Sequence, residues 1–143
     1  MPEKETLERA ARDKAEGKAP STQAGEFVHE EIEHIREGKH GARSTKQAIA
    51  IGLSKARRAG VELPAPKTGS KTTRKQAARD LKKSRSAKKS AKRSRATSKA
   101  LKREGHSAAS TRALSRQAHK AAAKRSAAAR SRSAKKAAAT RKK

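Results

Sequence analysis

Two histidines and a glutamate form the pattern in this sequence that comes nearest to metal chemistry. His29-Glu30 is followed by His34, which invites comparison with the zinc-protease pattern of two histidines four residues apart on one helix face. Here the histidines are five residues apart, so they lie about 140° apart around a helix. We therefore expect no metal site and interpret both histidines as flanking a solvated acidic face. The other histidines are isolated in the sequence: His40, His106 and His119.

No pattern in the chain indicates catalysis. The sequence has no glycine-rich phosphate loop, no cysteine, and no serine beside a base that would activate it. Glu30, Glu33 and Glu37 fall on one side of a predicted helix and could pair as a catalytic dyad, but a solvated charged face explains them better. They could also pair transiently with the basic residues described next. We predict that the protein is not an enzyme and has no cofactor, no metal and no small-molecule substrate.

The charge of the chain is concentrated in its second half, and the chemistry that this half can perform is phosphate binding. Residues 67–143 contain 28 Lys and Arg against two acids, Asp80 and Glu104, so these 77 residues carry a charge of +26. Residues 1–66 contain 12 Lys and Arg against 11 acids and are nearly neutral. A block of one sign repels itself and attracts polyanions, of which nucleic acids are the abundant ones in a cell.

The sequence therefore predicts a nucleic-acid-binding protein that neutralises phosphates and releases counterions. The predicted binding residues are Arg57, Arg58, Arg74, Lys75, Arg79, Lys82, Lys83, Arg85, Lys88, Lys89, Lys92, Arg93, Arg95, Lys99, Lys102, Arg103, Arg112, Arg116, Lys120, Lys124, Arg125, Arg130, Arg132, Lys135, Lys136, Arg141, Lys142 and Lys143.

Duplex DNA, bound largely without regard to its sequence, is the predicted ligand. Phe27 is the one aromatic residue of the chain, so the side chains that stack on bases in single strands and RNA loops are missing. A helix-turn-helix reader is disfavoured because its first helix would be acidic on its outer face. Two alternatives stay open: an RNA- or ribosome-associated protein with the same electrostatics, and a protein-interaction hairpin whose basic tail tethers it to a polyanion.

The elements that must position these residues are predicted to be helices. Residues 3–18 mix charges of both signs around one large apolar residue, Leu7, which predicts a short, solvated N-terminal helix followed by a linker at 19–21. Residues 25–38 predict an amphipathic helix that ends at Gly38. The apolar face of this helix is formed by Phe27, Val28, Ile32 and Ile35.

Residues 44–60 predict a second helix with clear signals at both ends. Ser44 and Gln47 have the spacing of a capping box, and Gly60 fits a C-terminal cap. Small residues four positions apart form a shallow ridge that would let another helix approach closely: Ala48, Gly52 and Ala56. The two helices should pack as an α-helical hairpin. Because its core would be tiny, the hairpin should be marginal alone or form a homodimer.

The basic tail is predicted to be disordered or conditionally helical. Its large aliphatic residues are three leucines: Leu81, Leu101 and Leu114. Burying each would contribute roughly 1.5–3 kcal/mol, which cannot offset a backbone ordering cost of about 1–2 kcal/mol per residue. Because Ala, Lys and Arg favour helices, we expect two latent helices, at about 73–103 and about 107–139, that form when phosphates neutralise the charge.

The predicted fold class is therefore mostly α, with a short N-terminal helix, a small helical hairpin and a long basic tail. The predicted segments are a charged N-terminal segment at 1–24, the hairpin at 25–63, a Pro/Gly/Ser/Thr linker at 64–73 and the tail at 74–143. No apolar run is long enough for a membrane span, and the N-terminus lacks the apolar core of a secretory signal. We expect a cytoplasmic, nucleoid-associated protein.

Two resemblances support these expectations. The segment FVHE at 27–30, followed by STKQAIAIGLS at 44–54, resembles a family of small basic bacterial proteins of uncharacterised function, over roughly residues 25–66. That resemblance implies a bacterial source and no known activity. The tail is similar in composition to the Ala/Lys-rich tails of linker histones and bacterial histone-like proteins, although it uses much Arg and Ser and lacks their prolines.

Overall fold

The computed structural model describes residues 1–83 and 90–142, and the described residues fold mainly into helices. They form seven α-helices and one 3-10 helix, Ser107–Ala109. The α-helices are α1 (Lys4–Ala15), α2 (Pro20–Arg36), α3 (Thr45–Arg58), α4 (Lys71–Lys83), α5 (Ala91–Leu101), α6 (Thr111–Ala123) and α7 (Ala127–Arg141). Among the described residues, no helix has both the length and the apolar character that a membrane span requires.

The centre of the fold is the pair α2 and α3, which pack against each other as the sequence predicted. Phe27 and Ile35 of α2 are 1% and 0% exposed. The small ridge of α3 does allow a close approach, because a methyl group built on Gly52 would lie 2.7 Å from the Cα of Val28. A side chain larger than hydrogen at this position would push the two helices apart.

Both predicted ends of α3 are present. Ser44 Oγ accepts a hydrogen bond from the Gln47 amide at 3.2 Å, while the Gln47 side chain accepts from the amide of Arg43 at 2.7 Å. The glutamine thus reaches one residue further back than a capping box requires. Gly60 has φ +97°, the left-handed conformation expected of a glycine cap.

The prediction of a solvated N-terminal helix is wrong. α1 packs against α2 through Thr6, Ala10 and Asp13, which are buried, whereas Leu7 is 41% exposed. The small side chains of α1 allow it to lie close to its neighbour, which a search for large apolar residues overlooks. The predicted linker at 19–21 is also wrong, since α2 begins at Pro20, a residue suited to the first position of a helix.

The prediction of a disordered or conditionally helical tail after a short hairpin is wrong as well. Helices α4 to α7 occupy most of its described residues, and α4 begins inside the predicted linker at 64–73. The break between α5 and the 3-10 helix, at residues 102–106, includes the gap at 104–106 between the two helices that the sequence predicted. The second of these, expected at about 107–139, is instead divided into the 3-10 helix, α6 and α7.

Alanines and serines explain why the tail is ordered without large aliphatic residues. Ala77 is buried in α4, which packs on α3, and Ala108 and Ala109 are buried where the 3-10 helix contacts α2 and α3. Serine hydroxyls cap the starts of α5, α6 and α7 by accepting backbone hydrogen bonds; these serines are Ser90, Ser110 and Ser126. Local helix propensity and caps therefore supplement a few close backbone contacts.

Candidate nucleic-acid interface

Helix α4 packs on α3 with one side and presents its cations on the other. Ala77 and Asp80 face α3, where the Asp80 carboxylate accepts a hydrogen bond from Ser54. The opposite side carries cations at every fourth position: Lys71, Lys75, Arg79 and Lys83, all exposed. Residues four apart lie on one helix face, so these four cations form the α4 series.

Helix α5 and the turn after it carry a second series of cations. Arg95, Lys99 and Arg103 are exposed and again four residues apart; we call them the α5 series. Together with neighbouring polar residues they line a shallow, open concave surface whose other lining residues are Ser94, Ser98 and Lys102. Four cations and two hydroxyls on one small surface are suited to contact phosphate oxygens.

Helix α6 repeats the arrangement of α4. Leu114 packs against the hydrophobic core, and α6 contacts α3 and the 3-10 helix. The α6 series, Arg112, Arg116 and Lys120, is exposed and lies roughly 160–240° around the helix from Leu114. Helix α7 differs, because none of its residues is buried. Its exposed cations are distributed around the whole circumference of the helix: Arg130, Arg132, Lys135, Lys136 and Arg141.

Acidic side chains do not neutralise these cations. Within the described residues of the second half, no Lys or Arg of α4 to α7 lies within ion-pair distance of a carboxylate side chain; the Asp80 carboxylate accepts hydrogen bonds from Ser54 and Gln76. Glu104 instead lies 3.8 Å from Arg43 Nη2, outside the basic helices. The acids of the first half, which the sequence offered as transient partners for the tail, pair with cations of their own half.

The structure places the predicted binding residues unequally. Every predicted cation of α4 to α7 and the turns between them that the structure describes is exposed. Arg57, in contrast, is 7% exposed and donates to the backbone carbonyls of Leu63 and Pro64, so it holds the segment after α3 rather than facing solvent. Arg58 is exposed and donates to Ser54. Four predicted residues lie outside the described residues: Arg85, Lys88, Lys89 and Lys143.

A buried polar cluster lies between α2, α3 and the turn that joins them, and it includes Glu30, which the sequence predicted to lie on a solvated face. Glu30 and Glu31 are 4% and 0% exposed. Lys55 Nζ lies 2.6 Å from Glu31 Oε2 and 3.7 Å from Glu30 Oε1. His40 Nε2 lies 3.0 Å from Glu31 Oε1. With His34, these residues form what we call the Glu–His cluster.

His34 connects this cluster to the start of the chain. Its Nε2 atom lies 2.9 Å from Glu3 Oε1 and 3.9 Å from Glu30 Oε1. The amide of Glu3 in turn donates to Glu30 Oε2 at 3.1 Å. Two hydrogen bonds to the Glu3 carboxylate hold its pKa below the usual value; the one from His34 has the larger effect and the one from Lys39 the smaller. The cluster thus ties the N-terminal segment, α2 and α3 together.

Sequence reasoning missed the Glu–His cluster because it considered the wrong pair of histidines. His29 is exposed and takes no part. Glu31 and His34 are three residues apart and share a helix face, a signal that was available in the sequence. His40 and Lys55 come from the following turn and from α3, so only the packing of α2 on α3 brings them to that face.

The fold and the charges together define a class: a small helical protein whose described basic helices present exposed cations. Residues 14–68 match the model of DUF6496, a family of unknown function. The match spans α2, α3 and the segment before α4 and stops short of the basic helices. It supports the resemblance to an uncharacterised family stated above for residues 25–66. Neither the curated proteins nor the solved structures gave a match to this chain.

Proposed function

We propose that this protein is a non-enzymatic nucleic-acid-binding protein that uses the α4, α5 and α6 series together with the cations of α7. The proposed ligand is duplex DNA, bound largely without regard to sequence, in the manner of a nucleoid-associated protein. The family match says nothing about activity, so the proposal rests on the charges and on the surface that carries them.

The observation that carries the proposal is that like charges recur at every fourth residue along each series. Like charges four residues apart on a helix destabilise it by about 0.2–0.5 kcal/mol per pair. A surface that served solubility alone would alternate the two signs, as α1 does with Lys4, Glu5, Glu8 and Arg9. Phosphates lying along the series would replace this repulsion with attraction, so the bound state relieves a strain that the free protein carries.

The spacing and chemistry of the series favour backbone contacts over base readout. Successive cations of a series are about 6 Å apart along the helix axis, whereas duplex DNA presents one charge per about 1.7 Å of its axis. Several series can therefore bind one duplex or join two neighbouring duplexes. Lys and Arg on helices without aromatic side chains supply phosphate contacts and no stacking platform.

A salt titration of DNA binding tests the counterion mechanism. Fluorescence anisotropy with a labelled duplex of mixed sequence would give the dissociation constant at several NaCl concentrations. If about ten phosphates are engaged, the log–log slope of affinity against salt should be near −9. A slope near zero would contradict the proposal, and equal affinity for unrelated duplex sequences is expected.

Charge-neutral variants locate the interface on the full-length chain. The variant Arg112→Gln/Arg116→Gln/Lys120→Gln removes the α6 series at little cost in helix propensity. Its matched control, Lys4→Gln/Arg12→Gln/Lys14→Gln, removes the same number of charges from α1, whose acids balance them. The α6 variant should bind more weakly with a slope reduced by about 2–3, and the control should bind nearly as the parent does.

Competition between duplex DNA and double-stranded and single-stranded RNA, at matched salt, separates the ligand classes. Preference for the DNA duplex supports the proposal as stated. Preference for RNA would instead identify the protein as RNA- or ribosome-associated with the same cations in use.

A further inference from the structure

The Glu–His cluster contains more negative than positive charge in a buried setting. Glu30 and Glu31 each carry a carboxylate, and among the described residues Lys55 is the one lysine or arginine that lies beside them. The two nearest alternatives in sequence pair elsewhere: Arg36 with Glu33, and Lys39 with Glu3 and Glu37. A buried carboxylate without a matching positive charge is costly, so the charge balance of the cluster favours a further cation.

Oxygen atoms in the cluster also lack hydrogen-bond donors. Both oxygens of Glu31, and Oε1 of Glu30, are fully buried and accept no hydrogen bond. Lys55 and His40 approach the Glu31 oxygens at 2.6 and 3.0 Å, but in directions poor for hydrogen bonding, so neither contact supplies the missing hydrogen bond. Nearly all buried polar atoms in native proteins have a partner, so these three carboxylate oxygens are suited to bind a cation.

A hydrogen bond on the other side of the His40 ring limits what can lie between His40 and Glu31. His40 Nδ1 lies 3.0 Å from the carbonyl oxygen of Gly41, which can only accept, so Nδ1 carries a hydrogen. In the neutral ring, Nε2 then has a lone pair that faces Glu31 Oε1 at 3.0 Å. Two lone pairs at this distance repel each other unless a proton or a metal ion lies between them.

We propose that the Glu–His cluster binds a divalent transition-metal ion, with Zn²⁺ as the best match. The ligands are a carboxylate oxygen of Glu31 and one ring nitrogen each from His34 and His40, and these three atoms lie within 4.8 Å of one another. Two imidazoles and one carboxylate are a common zinc ligand set, whereas Mg²⁺ and Ca²⁺ prefer oxygen ligands alone. Ligands at about 2.0–2.1 Å from zinc are about 3.3 Å apart in tetrahedral geometry, close to the separation of His40 and Glu31.

The surrounding contacts have the character of a supporting shell. The hydrogen bond from His40 to the Gly41 carbonyl fixes the ring, as backbone carbonyls do for many metal-bound histidines. Lys55 holds the second oxygen of Glu31. His34 and His40 are 13% and 15% exposed, so water can reach the site to complete the coordination. An ion here would join α2 to the turn before α3.

Metal titration of the full-length protein tests this proposal. After treatment with EDTA, Zn²⁺ should bind with a stoichiometry of one and raise the melting temperature, and Co²⁺ should give the visible absorption bands of a four-coordinate site. His34→Gln and His40→Gln should each weaken Zn²⁺ binding by at least about a hundredfold, since even supporting residues of a metal site contribute about 10–100-fold. The matched control is His29→Gln, on the same helix but exposed, and it should bind as the parent does.

If the parent and all three histidine variants bind Zn²⁺ equally weakly, the ion is adventitious and held by surface histidines, which would overturn the proposal. A complete lack of Zn²⁺ and Co²⁺ binding would overturn it as well. If a histidine variant fails to fold, X-ray absorption of the zinc-loaded parent protein decides the question. Two imidazole ligands and a carboxylate support the site, and any other ligand set contradicts it. Neither outcome depends on whether the protein binds DNA.

Discussion

The backbone of Gly41 lies directly against that of Glu104, so a methyl group at Gly41 would come within 2.0 Å of the Glu104 carbonyl oxygen. Next to this contact, the amide of Gly41 donates to the carbonyl of Leu101 at 2.9 Å, and the amide of Ala42 donates to that of Gly105 at 3.0 Å. The turn before α3 is thereby joined to the turn after α5. This junction attaches the basic half of the chain to the helices of the first half.

The first prediction is that Gly41→Ala weakens this junction. Because backbone atoms cannot yield as a flexible side chain does, we expect a loss of about 1–3 kcal/mol in the free energy of unfolding, measured by urea denaturation. The control is Gly25→Ala in α2, where a methyl group meets no atom within 4 Å. That change should stabilise the protein by about 0.5–1 kcal/mol, because alanine favours helices over glycine.

The second prediction concerns Lys55, which is the principal positive partner of the two buried carboxylates. Lys55→Met keeps much of the side-chain volume but leaves Glu30 and Glu31 without the ammonium group. Breaking a buried ion pair from one side costs about 3–5 kcal/mol; because Lys55 is 21% exposed, we expect a loss near the lower end, in urea denaturation of metal-free protein. The double variant Lys55→Met/Glu31→Gln should recover part of the loss, and no recovery would mean that the lysine acts through packing alone.

The third prediction concerns α7, which has no buried residue and so depends on its own sequence. Ser126 Oγ accepts from the Ala129 amide at 3.2 Å, and Ser126→Ala should remove about 1 kcal/mol from the stability of this helix. Hydrogen exchange of the amides of 127–141 should accelerate while that of α2 is unchanged. Ser131→Ala, inside the same helix, is the control and should slow exchange slightly, since alanine is the better helix former.

How much could be predicted from the sequence depended on whether the signal was local. The periodicity of Phe27 and Ile35, and the caps at Ser44 and Gly60, are local signals, and the structure has α3 with the ends that they indicated. It also has α2, although this helix begins five residues before the predicted start at residue 25. The order of the tail was missed because the estimate counted leucines. Buried alanines such as Ala77 and Ala109 contribute little transfer free energy each but let backbones approach, and that benefit depends on a partner helix which the sequence does not specify.

The candidate sites differ in the same way. The cation series of α5 and α6, and three of the four cations of the α4 series, follow from spacing alone, and these residues are exposed as well. Lys71, the first cation of the α4 series, was missed because the sequence assigned it to the linker at 64–73. Arg57 is the exception, because the carbonyls that it binds belong to the segment after its own helix. The Glu–His cluster joins residues up to 25 positions apart, from Glu30 to Lys55, and only the packing of α2 on α3 brings them together.

The fourth prediction is that salt has opposite effects on the free protein and on its complex with DNA. In the free protein, the like charges of each series repel one another, and added ions screen that repulsion because the Debye length falls from about 10 Å at 0.1 M to about 3 Å at 1 M. Raising NaCl should therefore raise the melting temperature of the protein while it weakens DNA binding. The α6 variant described above should show a smaller rise in melting temperature than the parent, and the α1 control should show the same rise. A melting temperature that falls with salt in the parent would mean that ion pairs, rather than repulsion, dominate the electrostatics of the folded chain.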